Sequence, residues 1–148
     1  MKLIFLGTGT SQGVPVIACH CDVCLSNNPK DKRLRASVMV TINDINYVID
    51  SGPDFRQQML RENVQDLRAI LFTHEHKDHL AGMDDVRAFN FKSQKEMDVY
   101  CDLNVQKALL REYPYVFSDF KYPGVPDVMI HQISKDKAFT IDGNLFTP

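Results

Sequence analysis

Three histidines and one aspartate occupy a six-residue span of this 148-residue chain: His74, His76, Asp78 and His79. They directly follow the apolar stretch 69–72, which predicts a buried strand. Imidazole and carboxylate groups gathered at the end of a strand have a common explanation as the ligands of a metal site. The mixture of nitrogen and oxygen donors favours zinc, with manganese and iron as alternatives.

The spacing of these four residues suggests two ions. If the chain stays extended after the strand, His74 and His76 share one face and can bind the same ion, while Glu75 and Lys77 point elsewhere. Asp78 and His79 break this alternation, so a turn there would direct them to a second ion. Two ions about 3.5–4 Å apart can hold a hydroxide between them and polarise a phosphoryl or acyl oxygen, which is hydrolytic chemistry. As a catalytic group, Asp78 could also steer that hydroxide.

A second candidate metal site consists of Cys19, Cys21 and Cys24. Three thiols within six positions cannot all pair in disulfides, and their spacing suits a tetrahedral thiolate site. The alternative is a set of reduced, partly buried thiols. Alternation would turn His20 away from the thiols, and Cys101, in an apolar segment, is expected in the core.

Other residues could support these sites. Asp50 ends a predicted strand and is expected to orient the metal loop through a hydrogen bond to a ligand histidine or to the backbone, with an ordinary turn aspartate as the alternative. The glycine-rich turn 7–11 could approach a substrate phosphate through its backbone N–H groups. Lys77 and Arg87 are expected to be solvated, and His131, inside an apparent strand, is expected to be structural.

Three segments resemble the metallo-β-lactamase fold superfamily, whose members are mostly dinuclear metal hydrolases. The run 73–79, Thr-His-Glu-His-Lys-Asp-His, is similar to its His-Xaa-His-Xaa-Asp-His signature. Segment 3–15, which contains Gly-Thr-Gly-Thr-Ser, resembles the first strand and glycine-rich turn of its phosphodiesterase and transfer-RNA-processing branches. Segment 47–53 resembles the strand whose final aspartate supports the metal loop, here Asp50.

The cysteine loop at 18–24 is similar to that of the phosphoribosyl cyclic phosphodiesterases of phosphonate degradation and their uncharacterised relatives. This resemblance implies that Cys19, Cys21 and Cys24 hold a structural zinc ion together with a histidine from near the far end of the chain, for which this sequence has no match. It also implies an α/β fold, an αββα sandwich of two β-sheets flanked by helices and built from two similar halves. We expect residues 1–148 to form a partial domain that lacks its C-terminal half.

The resemblance also defines which ligands are missing. A dinuclear site of this family uses a further histidine, a bridging aspartate and a last histidine, and none has a counterpart here. Each missing donor weakens metal binding, so we expect a truncated form that holds the catalytic ions poorly and is weakly active or inactive. Unpaired strands could also favour domain exchange or a homo-oligomer.

Composition limits the partners and the compartment. With 44% hydrophobic and 24% charged residues the chain resembles an ordinary globular protein, and its formal charge of −2 indicates no general attraction to nucleic acid or to anionic membranes. No apolar run approaches the roughly 20 residues of a membrane span, and the start of the chain is too short for a secretion signal. Free thiols favour the cytoplasm.

The hydrophobic pattern predicts strands and helices in alternation. The predicted strands are 3–6, 37–42, 46–49, 69–73, 98–101, 128–133, 138–141 and a last one from 145, and the predicted helices are 53–63, 83–91 and 103–112. The favoured function is a metal-dependent hydrolase, a phosphodiesterase acting on a small phosphoester. The alternatives are a nuclease resembling ribonuclease Z, which the acidic charge disfavours, and a non-catalytic metal-binding remnant.

Overall fold

The computed structural model describes all residues from 1 to 148 and contains eight strands and five α-helices. The strands are β1 (Lys2–Gly7), β2 (Ser37–Ile42), β3 (Ile45–Ile49), β4 (Ala69–Leu71), β5 (Met97–Cys101), β6 (Val128–Gln132), β7 (Phe139–Ile141) and β8 (Asn144–Phe146). The α-helices are α1 (Asp22–Leu25), α2 (Phe55–Arg61), α3 (Lys77–Leu80), α4 (Arg87–Ser93) and α5 (Leu103–Glu112). Two 3₁₀ turns cover Pro29–Asp31 and Met83–Val86.

Strands β1 to β6 form one mixed sheet in chain order. The first three strands are antiparallel neighbours, whereas β3, β4, β5 and β6 run parallel. Because two antiparallel steps restore the direction, β1 points the same way as β3. The chain therefore leaves every strand of this sheet except β2 at the same edge, which is where open α/β sheets usually bind ligands.

The hairpin between β2 and β3 turns on two residues, Asn43 and Asp44, with φ values of 52° and 62°. Asparagine and aspartate tolerate this left-handed region better than other non-glycine residues, and two such residues make the turn that matches the twist of paired strands. Ile42 faces Ile45 across the turn. The predicted hairpin is confirmed, with β3 beginning one residue earlier than expected.

One face of the sheet is covered by the helices. Leu6, Val48, Ile70 and Val99 project from four strands into this core and are fully buried. Helix α5 packs against them with an amphipathic face, and it begins where the Asp102 carboxylate accepts a hydrogen bond from the Val105 N–H at 2.8 Å, a standard N-cap. Cys101 is buried in the same core, as expected.

The opposite face carries the β7–β8 hairpin. Tyr100 of β5 stacks on Phe139, and Phe139 stacks on Phe146, with ring centroids 5.3 and 5.6 Å apart. Away from the hairpin, Leu3 and Phe5 of the edge strand β1 are 52% and 64% exposed. This face of the sheet is therefore apolar over a wider area than the hairpin covers.

Some element boundaries differ from those predicted. Strand β4 ends at Leu71 rather than at 73, because the Thr73 N–H bonds to the Asp50 carboxylate instead of to a neighbouring strand. Helix α2 is shorter than 53–63, because Asp54, whose carboxylate accepts the N–H of Arg35, is its N-cap and Glu62 is its C-cap. The helix predicted over 83–91 is divided into a 3₁₀ turn and α4, and α1 and α3 are too short to show a hydrophobic period.

None of these helices could cross a membrane, since α5, with 10 residues, is the longest and no helix combines sufficient length with sufficient apolarity.

Candidate metal centre

Two loops at the carboxyl edge of the sheet form the candidate centre. One follows β3 and begins at Asp50; the other follows β4 and carries the histidine motif. Parallel pairing of the two strands places Ile49 opposite Leu71, so the loops leave the sheet side by side. Asp50 has a φ of 63°, and its N–H donates to the Leu71 carbonyl at 2.9 Å.

The Asp50 carboxylate is buried and joins the two loops. Its Oδ1 accepts the Thr73 N–H at 2.8 Å, and its Oδ2 accepts the Thr73 hydroxyl at 2.7 Å. Oδ2 also lies 2.7 Å from Nδ1 of His79. Since a carboxylate only accepts hydrogen bonds, Nδ1 of His79 carries the proton and Nε2 is left as a lone-pair donor. The hydrogen bond expected from Asp50 to a motif histidine is thus present.

The motif residues lie together around this carboxylate. The ring centroids of His74 and His76 are 4.6 Å apart, and those of His74 and His79 are 4.0 Å apart. Oδ2 of Asp78 lies 3.3 Å from Nε2 of His79. The extended chain ends at His76, after which helix α3 begins and turns Asp78 and His79 back toward the first histidine. The ring of His79 therefore lies closer to that of His74 than the ring of His76 does, although His74 and His76 were expected to share one ion and His79 to bind the other.

Two glycines allow the loops to pack closely. A Cβ on Gly52 would lie 2.0 Å from the carbonyl oxygen of Asp78, and a Cβ on Gly82 would lie 2.3 Å from that of Gly52. The Gly82 N–H also donates to the Ser51 carbonyl at 2.8 Å. Sequence reasoning did not assign a role to either glycine, although both flank the segments it singled out.

The donor set fits a divalent ion. With bonds of about 2.0–2.1 Å to nitrogen or oxygen, two ligands of a tetrahedral zinc ion stand roughly 3.3–3.4 Å apart. The separation of Asp78 Oδ2 and His79 Nε2, at 3.3 Å, meets this requirement without rearrangement. His76 is solvent-exposed and His74 half-buried, so both remain accessible to an ion from solution.

The C-terminal end of helix α5, with Tyr113 directly after it, contacts the motif segment. The buried hydroxyl of Tyr113 donates to the Leu80 carbonyl at 3.1 Å, and burial, with the Asp84 carboxylate nearby, raises the pKa of Tyr113 to about 12. Lys77 is 62% exposed in its side chain but pairs with Glu112, and this pairing lowers the pKa of Glu112. Lys77 is thus anchored to α5 rather than simply solvated, whereas Arg87 is exposed as expected.

The sulfur atoms of the cysteine loop lie closer together than the nitrogen and oxygen donors of the histidine motif. The Sγ atoms of Cys19, Cys21 and Cys24 all lie within 4.8 Å of one another, and no three donors of the motif converge to that distance. The Cys24 N–H, followed by the thiols of Cys19 and Cys24, lowers the pKa of Cys21, which favours the thiolate that binds metals. His20 is exposed and outside this cluster, as predicted.

His131 lies away from both clusters. Its Nε2 is 2.6 Å from Oδ1 of Asp98, and its ring stacks on Tyr100 with centroids 4.6 Å apart. Arg68 pairs with the other oxygen of Asp98 and with Asp142 in the β7–β8 turn. These contacts fit the structural role expected for His131.

Two cavities bear on the location of a substrate. The larger, about 860 Å³, lies at the opposite edge of the sheet and is lined by Arg68 and several carboxylates, with no residue of the motif. The smaller, about 400 Å³, is bounded by Phe72, Thr73 and Lys135 and adjoins the motif. The smaller cavity is the candidate for a substrate of the motif, because chemistry there requires proximity rather than volume.

Comparison with known proteins identifies the fold family. The model of the beta-lactamase superfamily domain matches residues 45–148, most of the chain. The chain belongs to the beta-lactamase superfamily. Among curated relatives, the chain is 41% identical over 143 residues to an octanoyltransferase of Porphyromonas gingivalis, covering 95% of this chain and 28% of that protein. It is 30% identical over 97 residues to coenzyme PQQ synthesis protein B of Methylobacterium radiotolerans, covering 56% of this chain and 32% of that protein.

Solved structures of the superfamily agree with the fold. A diphosphatase from the PhnP family superposes with a TM-score of 0.88 at 38% identity, covering 99% of this chain and 55% of that one. Zn²⁺-bound PqqB from Methylobacterium extorquens gives a TM-score of 0.75 at 20% identity, covering 94% and 51%. Human tRNase Z, short form, gives 0.58 at 18% identity, covering 89% and 45%. The predicted metallo-β-lactamase-like α/β fold is thus confirmed. The chain spans at most 55% of the length of these proteins.

Proposed function

We propose that this superfamily chain carries the metal-binding loops of a metal-dependent hydrolase that cleaves phosphodiester bonds in a small-molecule substrate. The observation that carries this proposal is that His74, His76, Asp78 and His79 lie close to one another and that the buried carboxylate of Asp50 bonds to His79. The 38% identity to a diphosphatase of the PhnP family supports phosphorus chemistry in preference to other hydrolytic reactions.

Each residue has a role in this proposal. His74 and His76 hold one divalent ion, zinc or otherwise manganese or iron, and Asp78 and His79 hold a second. Two such ions supply a water molecule that ionises near neutral pH and a positive charge for the phosphoryl oxygens. Asp78, half-buried beside His79, orients the attacking water and can accept its proton. Asp50 fixes the orientation of His79 from behind.

The glycine-rich turn after β1 is a candidate for substrate binding. Gly7 ends β1 at the same edge as the motif, and the exposed residues Thr8 and Thr10 follow it. Arg35 holds the turn in place, because its Nε donates to the Ser11 carbonyl at 2.8 Å. The backbone N–H groups of such a turn suit a phosphate group of the substrate.

The cysteine loop binds a structural zinc ion in this proposal. The clustering of the Sγ atoms of Cys19, Cys21 and Cys24 supports it, since thiolates at Zn–S distances of about 2.3 Å need only small shifts to share one ion. A zinc ion there would stabilise residues 13–25, a segment with little regular structure.

Other functions have less support. A formal charge of −2 does not favour a nuclease, and the likeness to tRNase Z concerns the fold alone. The activity named for the Porphyromonas gingivalis octanoyltransferase is that of a polypeptide of which this chain spans 28%, and acyl transfer has no support from the site. A non-catalytic role in metal binding remains the outcome if the experiment below finds ions bound and no turnover.

The test is hydrolysis of bis(p-nitrophenyl) phosphate by the purified chain with added Zn²⁺ or Mn²⁺. We expect slow turnover that depends on the added metal and that falls to the uncatalysed rate in His76→Ala. Glu75→Gln is the matched control, because Glu75 is exposed within the same motif and makes no hydrogen bond. Equal rates in wild type and His76→Ala would contradict the proposal. Faster cleavage of precursor transfer RNA than of small esters would favour the nuclease instead.

A further inference from the structure

The hydroxyl of Thr73 touches two groups of the candidate centre at once. Its Oγ1 lies 2.7 Å from Oδ2 of Asp50 and 3.0 Å from Nδ1 of His74. The backbone N–H of Thr73 also bonds to Asp50, at 2.8 Å. Two hydrogen bonds to one carboxylate fix both the main chain and the side-chain rotamer of Thr73, so the position of Oγ1 is defined.

The hydroxyl has one proton and must direct it to one of these two neighbours. If it donated to His74, its oxygen lone pairs would face the carboxylate at 2.7 Å, with two acceptors and no proton between them. Donation to Asp50 removes this repulsion and makes the shorter, charge-assisted bond. Oγ1 then has lone pairs left for His74, so Nδ1 of His74 must donate its own proton.

We propose that Thr73 is a positioning residue that fixes the Nδ1–H tautomer of His74 and thereby directs the Nε2 lone pair of that ring to the metal. Asp50 acts directly on Nδ1 of His79 and, through the hydroxyl of Thr73, on Nδ1 of His74. One buried carboxylate therefore sets the tautomers of two histidines, although it contacts only one of them. The link to metal binding depends on the proposed function, whereas the tautomer of His74 does not.

The first test reads the tautomers in the metal-free protein by ¹H–¹⁵N correlation of the imidazole nitrogens at a pH where the rings are neutral. We expect Nδ1–H on His74 and on His79 in the wild type. Thr73→Val keeps the size and the β-branch but lacks the hydroxyl, so His74 should shift toward the Nε2–H tautomer. His79 serves as the internal control and should keep Nδ1–H, because its bond to Asp50 does not involve the hydroxyl.

Thr73→Ser restores a hydroxyl and should return His74 to the wild-type tautomer. Thr41→Val is the matched control elsewhere, because it removes a hydroxyl that donates to Asn46 at 2.8 Å on the same sheet. An Nε2–H tautomer on His74 in the wild type would overturn the proposal. So would an unchanged His74 in Thr73→Val.

The second test measures binding of Co²⁺ by its visible absorption, with the near-ultraviolet thiolate band reporting the cysteine loop separately. We expect Thr73→Val to weaken the imidazole–carboxylate site by about 10–100-fold, as is usual when a group behind a ligand histidine is lost, and Thr73→Ser to recover most of this loss. Equal affinity in wild type and Thr73→Val would refute the positioning role. Absence of phosphodiesterase activity would refute the proposed function and leave the tautomer result intact.

Discussion

Asp50 precedes His79 by 29 residues in the chain, yet its Oδ2 lies 2.7 Å from Nδ1 of that histidine. Two features produce this contact: the parallel pairing of β3 with β4, and the turn of α3 that carries His79 back over the strand ends. The contact unites the two loops into one unit. Mutations that shift either loop should therefore change the position of the metal ligands and weaken metal binding.

Asp50→Asn should weaken both the fold and the metal site. An amide has one acceptor oxygen, so it cannot accept all three of the hydrogen bonds that Asp50 accepts from Thr73 and His79, and its NH₂ group would face a donor. We expect a loss of about 1–3 kcal/mol in the free energy of unfolding, measured with urea, and about 10–100-fold weaker metal binding by competition titration. Asp44→Asn is the control, since Asp44 has nearly the same positive φ and is exposed. Comparable losses in both variants would contradict this prediction.

Gly52→Ala should disturb the motif without touching a ligand. The new Cβ would stand 2.0 Å from the Asp78 carbonyl oxygen, and this backbone atom cannot move without shifting α3. We expect a loss of about 1–3 kcal/mol in stability together with weaker metal binding. In Gly124→Ala the Cβ meets open space at a φ of 95°, so the cost there is purely conformational. Unaltered metal affinity in Gly52→Ala would show that the contact does not position Asp78.

The cysteine loop should retain metal more firmly than the histidine motif. We expect about one zinc ion per chain after dialysis, measured by elemental analysis, because three convergent thiolates bind zinc strongly. Cys21→Ser should lose this ion and lower the midpoint of thermal unfolding. Cys101→Ser, a change at a buried cysteine outside the cluster, should keep it. About two further ions retained per chain would contradict our expectation that the motif binds weakly.

The ion pairs of Asp98 should make stability fall in acid. Burial raises the pKa of Asp98, but the hydrogen bonds from Arg68 and His131 outweigh it and hold the pKa below its usual 3.8. A carboxylate with a lowered pKa stabilises the fold above about pH 3.8, and this contribution disappears as the pH falls through the lower, folded value.

We therefore expect Asp98→Asn to cost about 1–2 kcal/mol near neutral pH, and the difference from wild type to shrink below about pH 3.8 in urea titrations. The exposed Asp136 provides the control variant, Asp136→Asn. A difference between wild type and Asp98→Asn that stays constant with pH would show that the charge of Asp98 is not responsible.

Local patterns predicted the parts of the fold that depend on neighbouring residues. The turn at Asn43 and Asp44, the strand before the motif and the helix capped by Asp102 all follow from short-range chemistry. The end of β4 could not be predicted in the same way. It depends on a hydrogen bond between Thr73 and Asp50, which are 23 residues apart, and no local period reports such a bond.

The candidate site shows the same division. The clustering of His74, His76 and His79 in sequence was enough to suggest metal ligands, because the chemistry of those side chains is the signal. Their division between two ions relied on strand alternation, and the helical turn after His76 brings His79 within 4.0 Å of His74 between ring centroids. The supporting contacts of Tyr113 and Gly82 arise from tertiary packing, for which the sequence offers only isolated residues.

The β7–β8 hairpin is fastened to the sheet by partners far away in the chain, since Arg68 reaches Asp142 across 74 residues and Tyr47 meets Asn144 across 97. Tyr47 and Ala69, both at 0% exposure in the folded chain, remain exposed to solvent until the hairpin packs against them. During synthesis on the ribosome, these two side chains therefore stay exposed until strands β7 and β8, the last in chain order, have been made. In that interval the incomplete sheet is most exposed to binding by chaperones and to aggregation with other nascent chains.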